Sequence, residues 1–283
     1  MAACVQRQIA LLCASHSRVA VEGQLPNATE FIADLARSVG FLSRLPVPDR
    51  FFKGYDGSVS RAVRAFPAAG LIIAALPGLV LLLTARPETA LLSSLVALAV
   101  MAVLTGALHE DGLADTADGL GGGRDREHAL SIMKDSRSGA YGVVALILSF
   151  GLRASALSTI ILNDSGFAAL ALLAAAVVSR GAMVAHWHAL PAARVNGVAA
   201  GAGSPEESAR SVALLTAIVL ALLLLVPCFG LARTLFSLIV VGIAALGFTR
   251  WVRKKIGGHT GDTIGATQQI IEIVMLATLA LTL

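Results

Sequence analysis

Charged residues are scarce in this sequence: Asp, Glu, Lys and Arg make up only 14% of its 283 residues. A soluble globular protein carries about 25%. Hydrophobic residues account for 56% of the chain, and the mean hydropathy is +0.79. This composition excludes a disordered chain, a collagen and an ordinary soluble enzyme. It predicts a polytopic membrane protein of the all-α class.

Cysteine and aromatic residues are also few. Aromatics make up only 5% of the chain, so its apolar content is mostly aliphatic, as in tightly packed membrane helices. The cysteines Cys4, Cys13 and Cys228 are scattered and show no CxxC spacing, which indicates neither a disulfide framework nor a zinc site. The apolar patch near the N terminus is too weak for a signal peptide. We expect residues 1–28 to be a mobile N-terminal extension and residues 29–283 to form a single integral-membrane domain.

Long apolar runs recur along the chain. About 20 apolar residues cross a bilayer as a helix. Segments of this kind are predicted at 67–84, 90–108, 142–161, 166–189, 209–227, 231–249 and 267–283. Segment 29–45 is too polar to span, but its apolar residues recur at helical spacing, which predicts a helix lying on the membrane surface. The expected fold therefore has about seven transmembrane helices and an N-terminal interfacial helix.

Charges are distributed very unevenly between the predicted loops. Apart from Arg153 and Arg180 inside the spans, only two basic residues, Arg86 and Arg233, are assigned to the side opposite the N terminus. The positive-inside rule then places the N terminus and the loops on its side in the cytoplasm. The acidic residues of the loops follow the same distribution, with only Glu88 and Asp164 on the far side. Polar chemistry at one face favours an enzyme with cytosolic substrates over a transporter, which would carry polar groups at mid-depth.

The acidic stretch HEDGLADTADGLGG (109–122) follows the second predicted span. If the helix continues, Asp111, Asp115 and Asp118 fall within about 60° of one face. Such carboxylates repel one another unless a cation neutralises them, and all-oxygen ligands favour Mg²⁺ or Mn²⁺. Glu110 lies off this face, as a further ligand or a supporting group. The alternative is a solvated acidic helix end, although acids are unfavourable at a helix C terminus.

Glycines and cations follow the acidic stretch. Gly121 and Gly122 would let the backbone approach a phosphate, or would act as a flexible hinge. Lys134 and Arg137, in MKDSRSGAYG, belong to the residue types that bind phosphate. Because these two cations share a loop with many acids, we expect them to do more than anchor the protein to the membrane.

Further candidates lie outside this loop. Arg61 and Arg64 precede the first span and would be either membrane anchors or phosphate clamps. Arg153 and Arg180 lie inside predicted spans, where an arginine indicates a function or a buried partner. In the late block GGHTGDTIGA, Asp262 would be a fourth metal ligand or the N-cap of the last helix.

Together these blocks resemble the adenosylcobinamide-GDP ribazoletransferase family, also called cobalamin synthases. The resemblance covers the chain from residue 40 or so to its end, and the acidic stretch is its most specific part. The other matching pieces are FLSRLPVP (41–48), RAFPAAG (64–70), MKDSRSGAYG (133–142), residues 179–180, Arg194 and GGHTGDTIGA (257–266). The resemblance implies a Mg²⁺-dependent enzyme of the bacterial inner membrane. This enzyme would join adenosylcobinamide-GDP to α-ribazole or α-ribazole 5′-phosphate and release GMP.

The resemblance also implies a role for each candidate residue in a catalytic domain formed by residues 29–283. The metal, one or two Mg²⁺, would be held by Asp111, Asp115 and Asp118, with Glu110 in support. Either Asp118 or Asp262 would take the proton of the attacking hydroxyl. The substrate phosphates would bind Lys134, Arg137, Arg61, Arg64 and Arg180, together with Gly121 and Gly122. No nucleic-acid partner is expected, and the small residues of the spans would permit a homo-oligomer.

Two other functions stay open at this point. A lipid phosphotransferase of the CDP-alcohol type would use similar metal-bound aspartates, although its DxxDGxxAR pattern is absent from the sequence. A membrane transporter, for example of divalent cations, would need several acids at mid-depth. Glu272 is the only carboxylate within a predicted span, which is little for a conduction path.

Overall fold

The structure is a computed structural model that describes residues 28–55, 59–135, 137–194 and 202–283. Most of these residues are helical, and no strand lies among them, which confirms the all-α prediction. The α-helices are α1 (Ala28–Leu42), α2 (Phe66–Thr84), α3 (Ala90–Thr105), α4 (Leu108–Gly122), α5 (Arg126–Ile132), α6 (Ala140–Ile161), α7 (Ser165–Ala189), α8 (Glu207–Ile256) and α9 (Gly261–Leu281). Short 3₁₀ helices cover Asp49–Phe51, Ala62–Ala65 and Pro87–Thr89. Most of the predicted extension 1–28 lies outside the described residues.

Six helices of the described chain are long and apolar enough to cross a membrane. These are Ala62–Thr84, Pro87–Thr105, Ala140–Ile161, Ser165–Ala189, Glu207–Ile256 and Gly261–Leu281. This agrees with a polytopic membrane protein. The count differs from the predicted seven at one place, because the predicted spans 209–227 and 231–249 both belong to α8, which is 50 residues long.

Helix α8 folds back on itself at Gly230, whose φ of 76° and ψ of 162° are not helical. The carbonyl of Pro205, just before α8, accepts a hydrogen bond from His188, while Arg253 near its end donates one to Ala189. Both ends of α8 therefore lie at the C-terminal end of α7. A straight helix of 50 residues would extend about 75 Å. The two arms of α8 thus contain the two predicted spans, and the number of crossings and their orientation stay predictions.

Helix α7 lies at the centre of the bundle and contacts α2, α8 and α9. Small residues permit these close approaches: a Cβ added to Gly70 of α2 would come within 2.6 Å of the carbonyl oxygen of Ala176. The peripheral helices expose many Leu, Ile and Val side chains, as a lipid-facing surface would. Helix α1 forms close to the predicted segment 29–45 and packs against α2. Its position at a membrane surface stays a prediction.

Candidate active site

The acidic residues lie on a helix of their own. Helix α3 ends at Thr105, and Gly106 and Ala107 then adopt left-handed backbone conformations, with φ of 64° and 56°. The second span therefore does not itself continue into the acidic stretch, but the stretch forms one helix, on which Asp111, Asp115 and Asp118 lie. Left-handed geometry costs a glycine little but is unfavourable for alanine. The break redirects the chain, so that α4 packs against α6 and α9.

Close contact between α4 and α9 brings Asp262 to the acidic stretch. A Cβ added to Gly112 would come within 2.8 Å of the Asp262 carbonyl oxygen and within 3.3 Å of the Cα of Gly265. Because residue 112 has no side chain, the first turn of α9 can lie directly on α4. Thr260, and not Asp262, is the N-cap of α9: its hydroxyl accepts a hydrogen bond from the backbone N–H of Thr263. The capping alternative for Asp262 is therefore wrong.

Asp111, Asp115 and Asp262 form what we call the acidic cluster. Burial raises the pKa of Asp115 to about 7, and the negative charges of Asp111, Asp262 and Asp118 contribute to this shift. The positive charge of Arg194 acts in the opposite direction. Asp111 is exposed, while Asp115 and Asp262 are half-buried, so a ligand could reach the cluster from solvent. The geometry thus unites residues from α4 and α9 that the sequence separates widely.

The residue types of this cluster suit a divalent cation, but their arrangement in the structure does not form a metal site. Among the residues that the structure describes, no three His, Cys, Asp or Glu side chains are arranged so that they could hold a metal ion. The donor set, consisting of carboxylates only, is the kind that Mg²⁺ and Mn²⁺ prefer. A cation would also offset the like charges that raise the pKa of Asp115. Metal binding would require the carboxylates to converge, and it stays a prediction.

Asp118 has a different environment from the cluster. Its two carboxylate oxygens accept hydrogen bonds from the backbone N–H groups of Gly139, at 2.7 Å, and Gly142, at 2.9 Å. A Cβ at either glycine would strike this carboxylate. Asp118 therefore caps the N terminus of α6 and ties it to α4. Its predicted roles as metal ligand and as base stay predictions, and sequence analysis missed the cap.

Glu110 and Arg180 both point into the protein interior. Glu110 is buried, accepts a hydrogen bond from Gln269 at 2.9 Å and lies 3.6 Å from Arg153. Arg180 is fully buried and pairs with Glu272 at 2.6 Å. The two arginines inside spans thus have buried carboxylate partners. Two further nitrogens of Arg180 are buried without a hydrogen-bond partner among the described residues, and its phosphate-binding role also stays a prediction.

Arg61 and Arg64 anchor helix α1. Arg64 is buried and donates a hydrogen bond to Asp34 of α1 at 2.8 Å, while Arg61 pairs with Glu30 and lies 3.8 Å from Asp34. These contacts fasten α1 to the chain just before α2. Arg61 stays half-exposed, so it retains surface that a phosphate could contact.

The loop between α5 and α6 borders a cavity of about 340 Å³ next to the end of α4. It is lined by Asp118, Gly122, Ile132, Asp135, Arg137, Gly139, Ala140 and Tyr141. Arg137 is exposed and pairs with Asp135 at 2.7 Å, which lowers the pKa of Asp135. Lys134 is exposed outside this lining, and Gly121 lies against the Tyr141 ring. The cavity therefore unites two of the predicted phosphate-binding residues, Gly122 and Arg137.

Comparisons with known proteins agree on one family. The family model described as cobalamin-5-phosphate synthase matches residues 34–280. Three bacterial proteins named adenosylcobinamide-GDP ribazoletransferase are similar over 89% of this chain: those of Rhizobium etli (55% identical, 97% of that protein covered), Sinorhizobium medicae (57%, 97%) and Brucella anthropi (42%, 98%). No solved structure matches the chain.

Proposed function

Because the chain belongs to the cobalamin-5-phosphate synthase family, we propose that it joins adenosylcobinamide-GDP to α-ribazole or α-ribazole 5′-phosphate. The products are adenosylcobalamin, or its 5′-phosphate, and GMP. This is the last assembly step of the cobalamin nucleotide loop. The membrane is the bacterial inner membrane, with the acidic cluster on the cytoplasmic side. The names of the bacterial relatives and the apolar helices support this assignment.

The acidic cluster is the observation that carries the chemical part of the proposal. A ribose hydroxyl of the ribazole forms a new P–O bond to the phosphorus next to the cobinamide, and the P–O bond to GMP breaks. The hydroxyl proton needs an acceptor, and the pyrophosphate brings negative charge to carboxylates that already repel one another. A divalent cation held by the cluster would supply the charge neutralisation for this step.

Within this proposal, the residues of the cluster have separate tasks. Asp111 and Asp115, one turn apart on α4, are the residues that would hold Mg²⁺ or Mn²⁺. Asp262 accepts the hydroxyl proton, and Thr260 orients it through a 3.1 Å hydrogen bond to its carboxylate. Asp262 is the better of the two predicted bases because both oxygens of Asp118 are engaged by backbone amides.

Arginines near the cluster are the candidates for binding the substrate phosphates. The charge of Arg194 acts on both Asp115 and Asp262, and its guanidinium is held in place by a 2.6 Å hydrogen bond to the carbonyl of Leu130. Arg137 at the cavity contributes a second cation, whose side chain is exposed. We assign to Arg194 the role that the sequence analysis gave to Arg61, Arg64 and Arg180.

Release of GMP by purified protein in lipid tests this function directly. The protein is supplied with adenosylcobinamide-GDP, α-ribazole 5′-phosphate and Mg²⁺, and each component is omitted in turn. We expect GMP only when all are present, together with a corrinoid product that contains the ribazole. A protein that instead transfers a phosphoalcohol from a CDP-alcohol to lipid would contradict the proposal.

A further inference from the structure

A buried polar network joins four helices beneath the acidic cluster. Glu272 of α9 pairs with Arg153 of α6 at 2.9 Å and with Arg180 of α7 at 2.6 Å. Gln269, one turn earlier on α9, donates to Glu110 of α4 at 2.9 Å. Each of these side chains is at least nine-tenths buried. The network therefore lies inside the bundle, between the elements that carry the cluster.

The charges of this network balance only if Glu110 is counted. Two arginines face Glu272, and a single carboxylate would leave one buried positive charge uncompensated, which is strongly unfavourable. Glu110 supplies the second negative charge, 3.6 Å from Arg153. The charges of Arg180 and Arg153 also act on His109, whose pKa lies well below its ordinary value chiefly because it is buried. Glu110 thus has an electrostatic reason to face inward.

The amide of Gln269 is committed to the same network. Its oxygen accepts a hydrogen bond from the Ser149 hydroxyl at 2.7 Å, and its nitrogen donates to Glu110 and to Gln268. Since each of its polar atoms has a partner, Gln269 holds Glu110 in one orientation. The second carboxylate oxygen of Glu110 and two nitrogens of Arg180 are buried without a hydrogen-bond partner among the described residues, and the Arg153 nitrogen nearest Glu110 lies 3.6 Å from it, too far for a direct hydrogen bond.

The network and the acidic cluster share one line of contact between α4 and α9. Asp262, Gly265, Gln269 and Glu272 follow one another at helical spacing along a single face of α9. The backbone of Gly112 touches this face at Asp262 and Gly265. One turn further along α9, Gln269 forms its hydrogen bond with Glu110, which precedes Gly112 on α4. A shift at that bond would move Asp111 and Asp115 relative to Asp262.

We propose that Glu110 is a positioning residue and not a metal ligand: its bond to Gln269 and its pairing with Arg153 fix α4 against α9, and so set the distance between Asp115 and Asp262. The inference rests on the proposed function, because the cluster acts as the reaction centre there. Glu110 acts on the reacting atoms only indirectly, through the position of Gly112 and the α4 backbone. Its inward burial separates it from the exposed side chain of Asp111.

Exchanging the two partners tests this role. The single variant Glu110→Gln removes the carboxylate. The double variant, Glu110→Gln together with Gln269→Glu, again has one carboxylate and one amide in this pair and keeps the charge of the network. We expect Glu110→Gln to lower kcat about tenfold or more with KM little changed, because a small misplacement of reacting groups is costly. The exchanged pair should recover kcat to within about threefold of the wild type.

Binding of Mn²⁺, followed by its electron paramagnetic resonance signal, separates positioning from ligation. Glu110→Gln should bind Mn²⁺ within about threefold of the wild type, because the two proposed ligands, Asp111 and Asp115, lie on one helix and keep their spacing, whereas removal of either ligand should weaken binding more. An exchanged pair that is no more active than Glu110→Gln, or a loss of Mn²⁺ binding in Glu110→Gln, would overturn the inference. If the wild type released no GMP, the proposed function would fail by itself. The thermal unfolding midpoint would then decide the positioning role: Glu110→Gln should lower it and the exchanged pair restore it.

Discussion

The backbone of Gly112 in α4 lies directly against the backbone of Asp262 in α9, where a Cβ would come within 2.8 Å of the Asp262 carbonyl oxygen. This contact joins two parts of the chain that are 150 residues apart in sequence. It brings the carboxylates of two helices to one place. The reaction centre that we propose therefore depends on the absence of one side chain.

Gly112→Ala should lower the rate of GMP release by more than its loss of folding stability alone would explain. The added methyl group forces α4 and α9 apart, which should cost about 1–3 kcal/mol of unfolding free energy and should also lower kcat. Gly151→Ala is the matched control, because a Cβ at residue 151 of α6 would meet no atom within 4 Å. We expect this control to keep full activity. Unfolding midpoints and GMP release measured on both variants would contradict the account if Gly112→Ala behaved like Gly151→Ala.

Asp118→Asn and Asp115→Asn should have opposite effects on stability. The asparagine at 118 presents an amide N–H₂ group to one of the two backbone donors, so we expect a loss of about 1–3 kcal/mol. At residue 115 the same change removes a carboxylate that its neighbours repel, so stability should stay equal or increase. Thermal unfolding in detergent checks both. A stable but inactive Asp118→Asn protein would instead support the metal or base role predicted from the sequence.

Glu272→Gln should strongly destabilise the protein. The change leaves Arg153 and Arg180 buried with Glu110, 3.6 Å from Arg153, as the one remaining carboxylate of the network, and breaking a buried pair in this way costs about 3–5 kcal/mol. Glu207→Gln is the control, since Glu207 pairs with Arg210 at the exposed start of α8, where such a pair contributes little. Comparable unfolding midpoints for the two variants would show that the network is not needed for folding.

Arg64→Ala and Asp34→Ala should both lower the unfolding midpoint, because both remove the ion pair that fastens α1. Asp34→Ala should lower it at least as much, since Asp34 also pairs with Arg37 at 3.2 Å, and the double variant should add little to Asp34→Ala. KM for adenosylcobinamide-GDP serves as the second measurement. If Arg64 bound a substrate phosphate, Arg64→Ala would raise that KM while Asp34→Ala would not.

The helices could be predicted from the sequence because their signal is local. Apolar runs of the length of a bilayer predicted the long helices of the described residues to within a few residues at most ends, and the count differs because α8 is divided at Gly230. The acidic residues were also expected on one helix. The break before this helix was not, because Ala107 is a strong helix former and gives no local sign of its left-handed backbone.

Contacts between distant residues account for most of what sequence analysis missed. The partners of Asp118 are backbone N–H groups more than 20 residues away, and Glu110 and Gln269 are 159 residues apart. The periodicity of apolar residues along a sequence does not predict such pairs. For Arg180 the sequence left a function or a buried partner open, and Glu272 is that partner. For Arg61 the sequence left a membrane anchor and a phosphate clamp open, and its ion pairs with α1 are a third contact that the sequence did not predict.

The most direct test of the central claim is the rate of GMP release by Asp115→Asn in lipid, measured beside Glu127→Gln and with EDTA. Glu127 is an acid on the exposed surface of α5, outside the acidic cluster, so its variant controls for the loss of a negative charge. We predict that Asp115→Asn folds but loses GMP release by at least about a hundredfold. Glu127→Gln should retain the wild-type rate, and EDTA should abolish the rate until Mg²⁺ is restored. An Asp115→Asn protein with the wild-type rate, or release that EDTA leaves unchanged, would contradict the account.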